Sequence, residues 1–367
     1  MKNTVKKLIN RLKKRKFAED SEKNFLRNFQ HPETTKRVKN EDLYIQKWRG
    51  LGLDVNPVYL RVYSNHSIGN DVNLVPIDLY YIVIQKKLNN YDLAQTYADK
   101  NMYHKLLDSG LLPKTYLRNI NGVFYTAGYK PKKPGPVFFK HLSEKTRQLI
   151  VKPSIESGKG VKVKKFQWKG DAFYDDHSMK LSVTYLQENY HKDYLVQEMI
   201  IQHPYLQRLN KSSVNTLRVL TFRSAKDEEV HILGSYLRIG KNDSLVDNIS
   251  SGGYLVNFND KGWPDKNAVS NEGGKIDSVN GIRVSELGVY PEYQKLIRCA
   301  KGIARSFPYQ RMLGLDLVVD NSNCVKLIEV NTFMIGPFEY SGYPIFGKYT
   351  DEIIEYCREK VKKEAIN

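Results

Sequence analysis

The stretch Gly314–Asn331, GLDLVVDNSNCVKLIEVN, limits what this chain can fold into more than any other. Leu313, Leu315, Leu317 and Val319 alternate with other residues, and Val325, Leu327 and Ile328 begin a second apolar run. Asp320-Asn321-Ser322-Asn323 between them is turn chemistry of the kind that joins antiparallel strands. Asp316 interrupts the first strand, and Glu329 and Asn331 end the second on one face, because strand residues i and i+2 point the same way. Pairing about the turn brings Asp316 to the same end. Three oxygen-bearing side chains there suit a hard cation shared with phosphate. The stretch taken alone also reads as an ordinary hairpin with polar residues at its open end, and the rest of the chain has to decide between the two.

The surrounding sequence supplies charge. Lys and Arg outnumber Asp and Glu by 58 to 40, a net +18 that implies an anionic partner. Residues 2–16 form a basic segment with Val5, Leu8, Ile9 and Leu12 at helical spacing. It reads either as a terminal helix docked on the body or as a peripheral contact with anionic lipid at the inner face of a membrane. No specific nucleic-acid binding is expected, since no recognised motif accompanies the charge. Cys299, Cys324 and Cys357 are odd in number and widely spaced, with no metal-type cluster, which points to a reducing, cytoplasmic setting. There is no apolar run of about 18 residues and no secretion-signal core, so neither a membrane span nor export is expected.

Read in order, residues 77–88 suggest a helix, and a second is expected from Tyr97 to Leu112 carrying Asp99-Lys100. Leu149–Pro153 is a strand ending in Lys152. A glycine loop, Ser154–Gly160, separates it from a second strand at Val161–Phe166. Exposed backbone N–H groups in such a loop, with Lys152 beside them, can hold phosphates; a tight hairpin with two necessary glycines is the plainer reading. There is no Walker-type motif and no dinucleotide fingerprint. Further strands follow at Asp193–Ile200, Val214–Phe222 and Val230–Ile239, then a polar turn at Leu245–Tyr254, and helices at 292–307 and 351–363.

In this order the features resemble the ATP-grasp fold, and more narrowly the sugar-transfer-associated ATP-grasp proteins of polysaccharide biosynthesis. The glutamate-ligase-like carboxylate–amine ligases are more distantly similar. The resemblance implies an α+β chain: two α+β lobes gripping ATP between antiparallel sheets, with a mostly helical N-terminal extension. The corresponding division is 1–92 for the basic helix and lead-in, 93–199 for the lobe with the glycine-loop flap, and 200–367 for the lobe with the metal-binding hairpin. Lys100 and Lys152 match the family's phosphate-binding lysines, and Ser157, Gly158 and Gly160 its closing loop. Gln197 and Glu198 match the hinge that meets adenine. Asn215 and Arg218 match the strand that offers an arginine to the transferred phosphoryl group. Asn248, Ser251, Gly252 and Gly253 match the loop near the acyl phosphate, where backbone N–H groups would cradle an oxyanion. Asp316, Glu329 and Asn331 match the metal ligands.

The activity so implied uses ATP and Mg2+, or Mn2+ in its place, to phosphorylate a carboxylate that an amine then displaces. The expected substrate is an acidic sugar or an amino acid in capsular or exopolysaccharide synthesis. Such a site neutralises charge rather than forming a covalent enzyme intermediate, in keeping with the absence of a convincing nucleophile triad. Replacement of Asp316 or Glu329 is expected to abolish ATP turnover and leave folding intact. Two alternatives stand beside this reading: an ATP-grasp kinase acting on a sugar hydroxyl, and a non-enzymatic basic protein binding membrane or nucleic acid.

Overall fold

The computed structural model describes the chain apart from residues 1–15, 28, 30–31, 66–68, 136, 156–161, 243, 245–246, 271–273, 334, 337–342 and 367. All but the last residue of the basic segment, and most of the glycine loop including Ser157, Gly158 and Gly160, therefore lie outside the described residues.

Two antiparallel sheets carry the structure. The first contains β1 (Thr115–Ile120), β2 (Val123–Tyr125), β3 (Gln148–Pro153), β4 (Lys164–Trp168), β5 (Phe173–Tyr174) and β6 (Tyr194–Glu198), in the order β2-β1-β6-β3-β4-β5. Leu149, Val151, Phe166 and Val196 bury its inner face against Leu186 of the helix Val183–Tyr190. Ser182 starts that helix by accepting a hydrogen bond from Tyr185 N at 3.0 Å.

The second sheet contains β7 (Leu217–Arg223), β8 (Val230–Ile239), β9 (Tyr254–Phe258), β10 (Ala268–Ser270) and β11 (Lys275–Ile276). After a small separate hairpin of β12 (Ser278–Val279) and β13 (Ile282–Arg283), it is completed by β14 (Met312–Val319) and β15 (Val325–Asn331). Its order is β11-β10-β9-β8-β7-β14-β15. Leu217, Val219, Leu315 and Leu317 pack with Leu296, Ala300 and Ile303 of the helix Tyr293–Arg305 in one core. Leu220, Phe222 and Met312 belong to another, with Trp48, Tyr59 and Tyr80 of the N-terminal helices and Ile353 of the closing helix Thr350–Ile366. The N-terminal region is thus part of the main core. Asn89 latches it there: its amide donates to Met312 O and Thr332 O, both at 2.8 Å, and its Oδ1 accepts from Met312 N at 3.0 Å.

The helix expected over 77–88 exists, with a π turn at Tyr80–Ile84. The helix expected over 97–112 does not. Asp99 is extended (ψ 112°), so the chain breaks between Tyr91–Ala98 and Tyr103–Leu106 and puts Lys100 in a turn. There Lys100 N donates to Ser154 O at 2.9 Å, joining the turn to the first sheet.

β14 is buried along its whole length, so both faces of the hairpin's first strand are interior. Asp316 stands opposite Glu329 on β15 and Arg218 on β7, and Gly314 opposite Asn331. Gly314 is required by space: a Cβ there would lie 2.8 Å from Ile335 Cγ2 and 3.1 Å from Arg218 Cδ. Gly314→Ala should destabilise the protein by about 1–3 kcal/mol through overpacking. The check is the urea-unfolding midpoint, and an unchanged midpoint would contradict the close approach of Arg218.

Candidate active site

A cleft of about 190 Å³ opens between the two sheets. One wall comes from the first sheet, with Ile150 and Lys152 of β3, Lys165 of β4, and Gln197 and Glu198 of β6. Met199 and Ile200 continue the wall where the chain leaves β6. The other wall comes from the second sheet and its approaches: Thr216, Arg238, Asp247, Asn248, Asp316 and Glu329. Lys100 bridges them, because its turn is held to the first sheet while its Nζ pairs with Glu329 Oε1 at 2.7 Å.

The floor of the cleft is a buried network of charge. Arg218 donates from Nε to Asp316 Oδ1 and from Nη2 to Asp316 Oδ2 at 3.0 Å, a two-pronged pair. Arg238 reaches the same Oδ2 from β8 with Nη1 at 2.9 Å. Its Nη2 pairs with Asp247 Oδ1 at 3.0 Å and donates to Asn248 Oδ1. Asp247 in turn accepts from Thr216 N at 3.0 Å and from the Thr216 hydroxyl. Burial works to raise the pKa of Asp316, but the two guanidinium groups outweigh it and hold the carboxyl below the usual range. Asp247 has Arg238 beside it but lies near Asp316, and burial dominates, so its pKa is raised. Lys152 is half-buried, and no described residue hydrogen-bonds its ammonium. Desolvation, then the nearby Lys100, pushes it down to about 7.

Several expected site residues meet here and others do not. Lys100, Lys152, Gln197, Glu198, Asn248, Asp316 and Glu329 line the cleft. Asn331 lies just behind, donating to Gly314 O at 3.1 Å and to Asp316 Oδ2 at 3.4 Å. Arg218, expected to face a transferred phosphoryl group, is instead sealed beneath the cleft. Its remaining nitrogen, Nη1, donates to Ile335 O at 2.8 Å and Gly336 O at 2.9 Å. Asn215 is fully buried, its amide donating to Leu206 O at 2.9 Å and Asn210 O at 3.0 Å, so it braces the loop before β7. The oxyanion cradle expected at Ser251, Gly252 and Gly253 is also corrected. Ser251 N donates to Asn248 O at 3.0 Å, Gly252 N to Ile249 O at 2.9 Å and Gly253 N to Asn248 O at 3.2 Å. The turn consumes those donors in closing itself. In the hinge, Gln197 Nε2 donates to Thr115 Oγ1 at 3.0 Å, and Glu198 Oε1 accepts from Lys114 N at 2.8 Å.

Sequence reasoning passed over Arg238 and Lys165. Arg238 carries no local signal; it shares a strand face with Tyr236, and only the β7–β8 register, which sets Tyr236 opposite Arg218, brings it to Asp316. Asp247 is expected from the sequence only as one residue of the polar turn at 245–254.

Asp316 is therefore a structural centre as well as a cleft residue, and the expectation that its loss spares folding is corrected. Asp316→Ala leaves two buried arginines without their shared carboxylate and should cost about 3–5 kcal/mol. Glu329→Gln, at a side chain about 30% exposed, should cost under about 1 kcal/mol. Chemical denaturation of both variants checks this, and equal losses would contradict the network.

The chain matches the sugar-transfer associated ATP-grasp family over residues 82–336. Comparison with curated proteins gives no match. Among solved structures, N5-carboxyaminoimidazole synthetase from Staphylococcus aureus, complexed with ADP, is 9% identical over 70% of this chain and 52% of its own, with a TM-score of 0.39. The D-alanine-D-alanine ligase of Coxiella burnetii is 12% identical over 76% and 63% respectively, at 0.38. An L-amino acid ligase from Bacillus licheniformis is 12% identical over 75% and 48%, at 0.33. The chain thus spans between about half and just under two thirds of the length of these proteins, and scores this low carry no weight beside the family match. That match covers both sheets, the cleft between them and the hairpin of β14 and β15: the chain belongs to the sugar-transfer associated ATP-grasp family and has the α+β ATP-grasp fold.

Proposed function

We propose that the protein is an ATP- and Mg2+-dependent carboxylate–amine ligase whose nucleotide lies in the cleft between the sheets. The observation that carries this reading is the arrangement of charge across the cleft, with Lys100, Lys152 and Lys165 opposite Asp316 and Glu329. The lysines would hold the phosphates. Gln197 to Ile200 would border the base.

The hairpin's donors fit a hard cation. Asp316 and Glu329 face the cleft with Asn331 beside Asp316, all oxygen donors. Among the described residues no cluster of three or more His, Cys, Asp or Glu could hold a metal alone. Two carboxylates completed by nucleotide phosphates and water is the regime Mg2+ prefers. When bound, the cation would neutralise charge on the phosphates. Glu329 would have to exchange its Lys100 partner for the cation, which turns the Lys100 ammonium toward the phosphates. Arg238, always charged and facing the cleft, takes the role expected of Arg218, while Arg218 holds Asp316 in place.

In this reading a substrate carboxylate oxygen bonds to the γ-phosphorus as its bond to the ADP oxygen breaks. The acceptor amine then bonds to the acyl carbon, inorganic phosphate leaves, and the amine nitrogen loses a proton. An acidic sugar or an amino acid in polysaccharide synthesis is the proposed substrate setting, supported by the family's description. With purified protein, ATP and Mg2+, phosphate release should require both an acid and an amine. Release onto a sugar hydroxyl with no amine present would overturn the ligase reading. Arg238→Met should lower kcat by about 100-fold or more, as losing a charge-stabilising donor does; a change confined to KM would contradict its placement.

Lys152 gives a pH test. With its pKa at about 7 in the free protein, the ammonium is mostly neutral at pH 8, and phosphates beside it favour reprotonation. ADP binding at pH 8 should therefore take up a proton, read as a dependence of calorimetric enthalpy on the buffer's ionisation enthalpy. The uptake should shrink at pH 6, where Lys152 is already charged, and vanish in Lys152→Met. Uptake that persists in that variant would contradict the assignment.

A further inference from the structure

On the face of the second sheet that carries Leu220 and Tyr236 lie two further cavities, of about 290 and 250 Å³. They share Asn257, Asp265 and Tyr343 as walls, so they are adjoining chambers on either side of those residues. Their position is set by sheet register. Glu329, Asp316, Arg218, Tyr236 and Asn257 stand opposite one another across β15, β14, β7, β8 and β9. Tyr236 lines the first chamber, one strand from Arg218 and two from Asp316, which is about 10 Å at the usual strand spacing. Gly234, also on that wall, carries no side chain, and a Cβ there would meet nothing within 4 Å.

The walls differ in charge. Asp265 is half-buried, and its Oδ2 accepts from the Tyr343 hydroxyl and from Asn257 Nδ2 at 3.3 Å. Its Oδ1 has no partner among the described residues, and the carboxylate forms no ion pair there. The second chamber adds Lys266 and Lys275. A carboxylate bordered by an aromatic ring and an amide receives an ammonium well, and lysine ammoniums receive an anion. A neutral polyol would use neither charge.

We propose that these chambers hold a zwitterionic amine, an amino acid, with its ammonium on Asp265 and its carboxylate toward Lys266 and Lys275. The proposal rests on the ligase reading, which gives the protein an amino acid as a substrate; an ammonium on Asp265, beside Asn257 of β9, lies three strands from Asp316, about 15 Å, so this is a binding site on the same face of the sheet and not the point of attack.

Ligand-observed saturation-transfer NMR on the full chain tests it directly, with L-alanine and L-glutamate against their methyl esters, their N-acetyl forms and glucose. The free amino acids should bind, and capping either charged end should weaken binding at least tenfold. Asp265→Asn and Gly234→Leu, which places a side chain in the chamber, should each abolish the signal, with circular dichroism melting confirming that both fold. Lys266→Ala, at an exposed position, should weaken binding of the free acid and leave the ester unaffected. Glucose binding as well as the amino acids, amino-acid binding that survives Asp265→Asn and Gly234→Leu, or no amino-acid binding at all would overturn the assignment. ADP affinity, measured separately by calorimetry, should be the same in all three variants as in the parent. A parent protein that fails to bind ADP would sink the ligase reading, while the NMR still decides what the cavity holds.

Discussion

Asp316 sits in a strand with both faces buried, where an ionised carboxylate survives only if the protein returns what water would have given. Two guanidinium groups return it, Arg218 from β7 and Arg238 from β8. Each comes from its own strand, so the pairing holds only if β14, β7 and β8 keep their register. Register, in turn, is fixed by the alternating apolar residues that fill the two cores on either side of the sheet. Arg238 extends the network to Asp247, and Asp247 holds Thr216 at the entrance to β7. The floor of the cleft is thus a charge network tied to the strongest part of the fold. Its three central members stand on strands, while Asp247, Asn248, Ile335 and Gly336 complete it from the connecting segments.

The first sheet contributes a wall of opposite character. Lys152 and Lys165 come from adjacent strands, β3 and β4, and face the carboxylates of Asp316 and Glu329 across the cleft. Only the Lys100–Glu329 pair joins the acidic hairpin to the lysine side among the ion pairs of the described residues. Family membership and this charge arrangement are separate observations. The match is to sequence over residues 82–336, whereas the charge arrangement is a property of side chains placed by two sheets.

The hairpin was readable because its signals are local: alternation, a polar turn, and polar residues at one end. The strands carrying Lys152, Gln197 and Arg238 were legible for the same reason. The break at Asp99 was not, since Tyr97–Leu112 has helical spacing and the interruption serves a tertiary contact, Lys100 N to Ser154 O. Arg218 and Arg238 show a different limit. Both lie on strands facing the same side, and nothing local says which one a buried Asp316 will claim on two prongs. Ser251–Gly253 misled because glycines near a turn suggest open N–H donors, yet Gly253 is set by crowding: a Cβ there would lie 2.8 Å from Asn248 O and from Ile239 O.

The central claim is that the nucleotide lies between the sheets with its cation on the hairpin. Crystals grown with a non-hydrolysable ATP analogue and Mn2+ test it most directly, since anomalous scattering locates the ion without reference to the protein. The account predicts adenine against Gln197 to Ile200, phosphates beside Lys100 and Lys152, and a manganese peak about 2.1 Å from a Glu329 oxygen, the octahedral ligand distance expected for Mg2+. A nucleotide bound outside the cleft, or a manganese peak away from both Glu329 and Asp316, would contradict it.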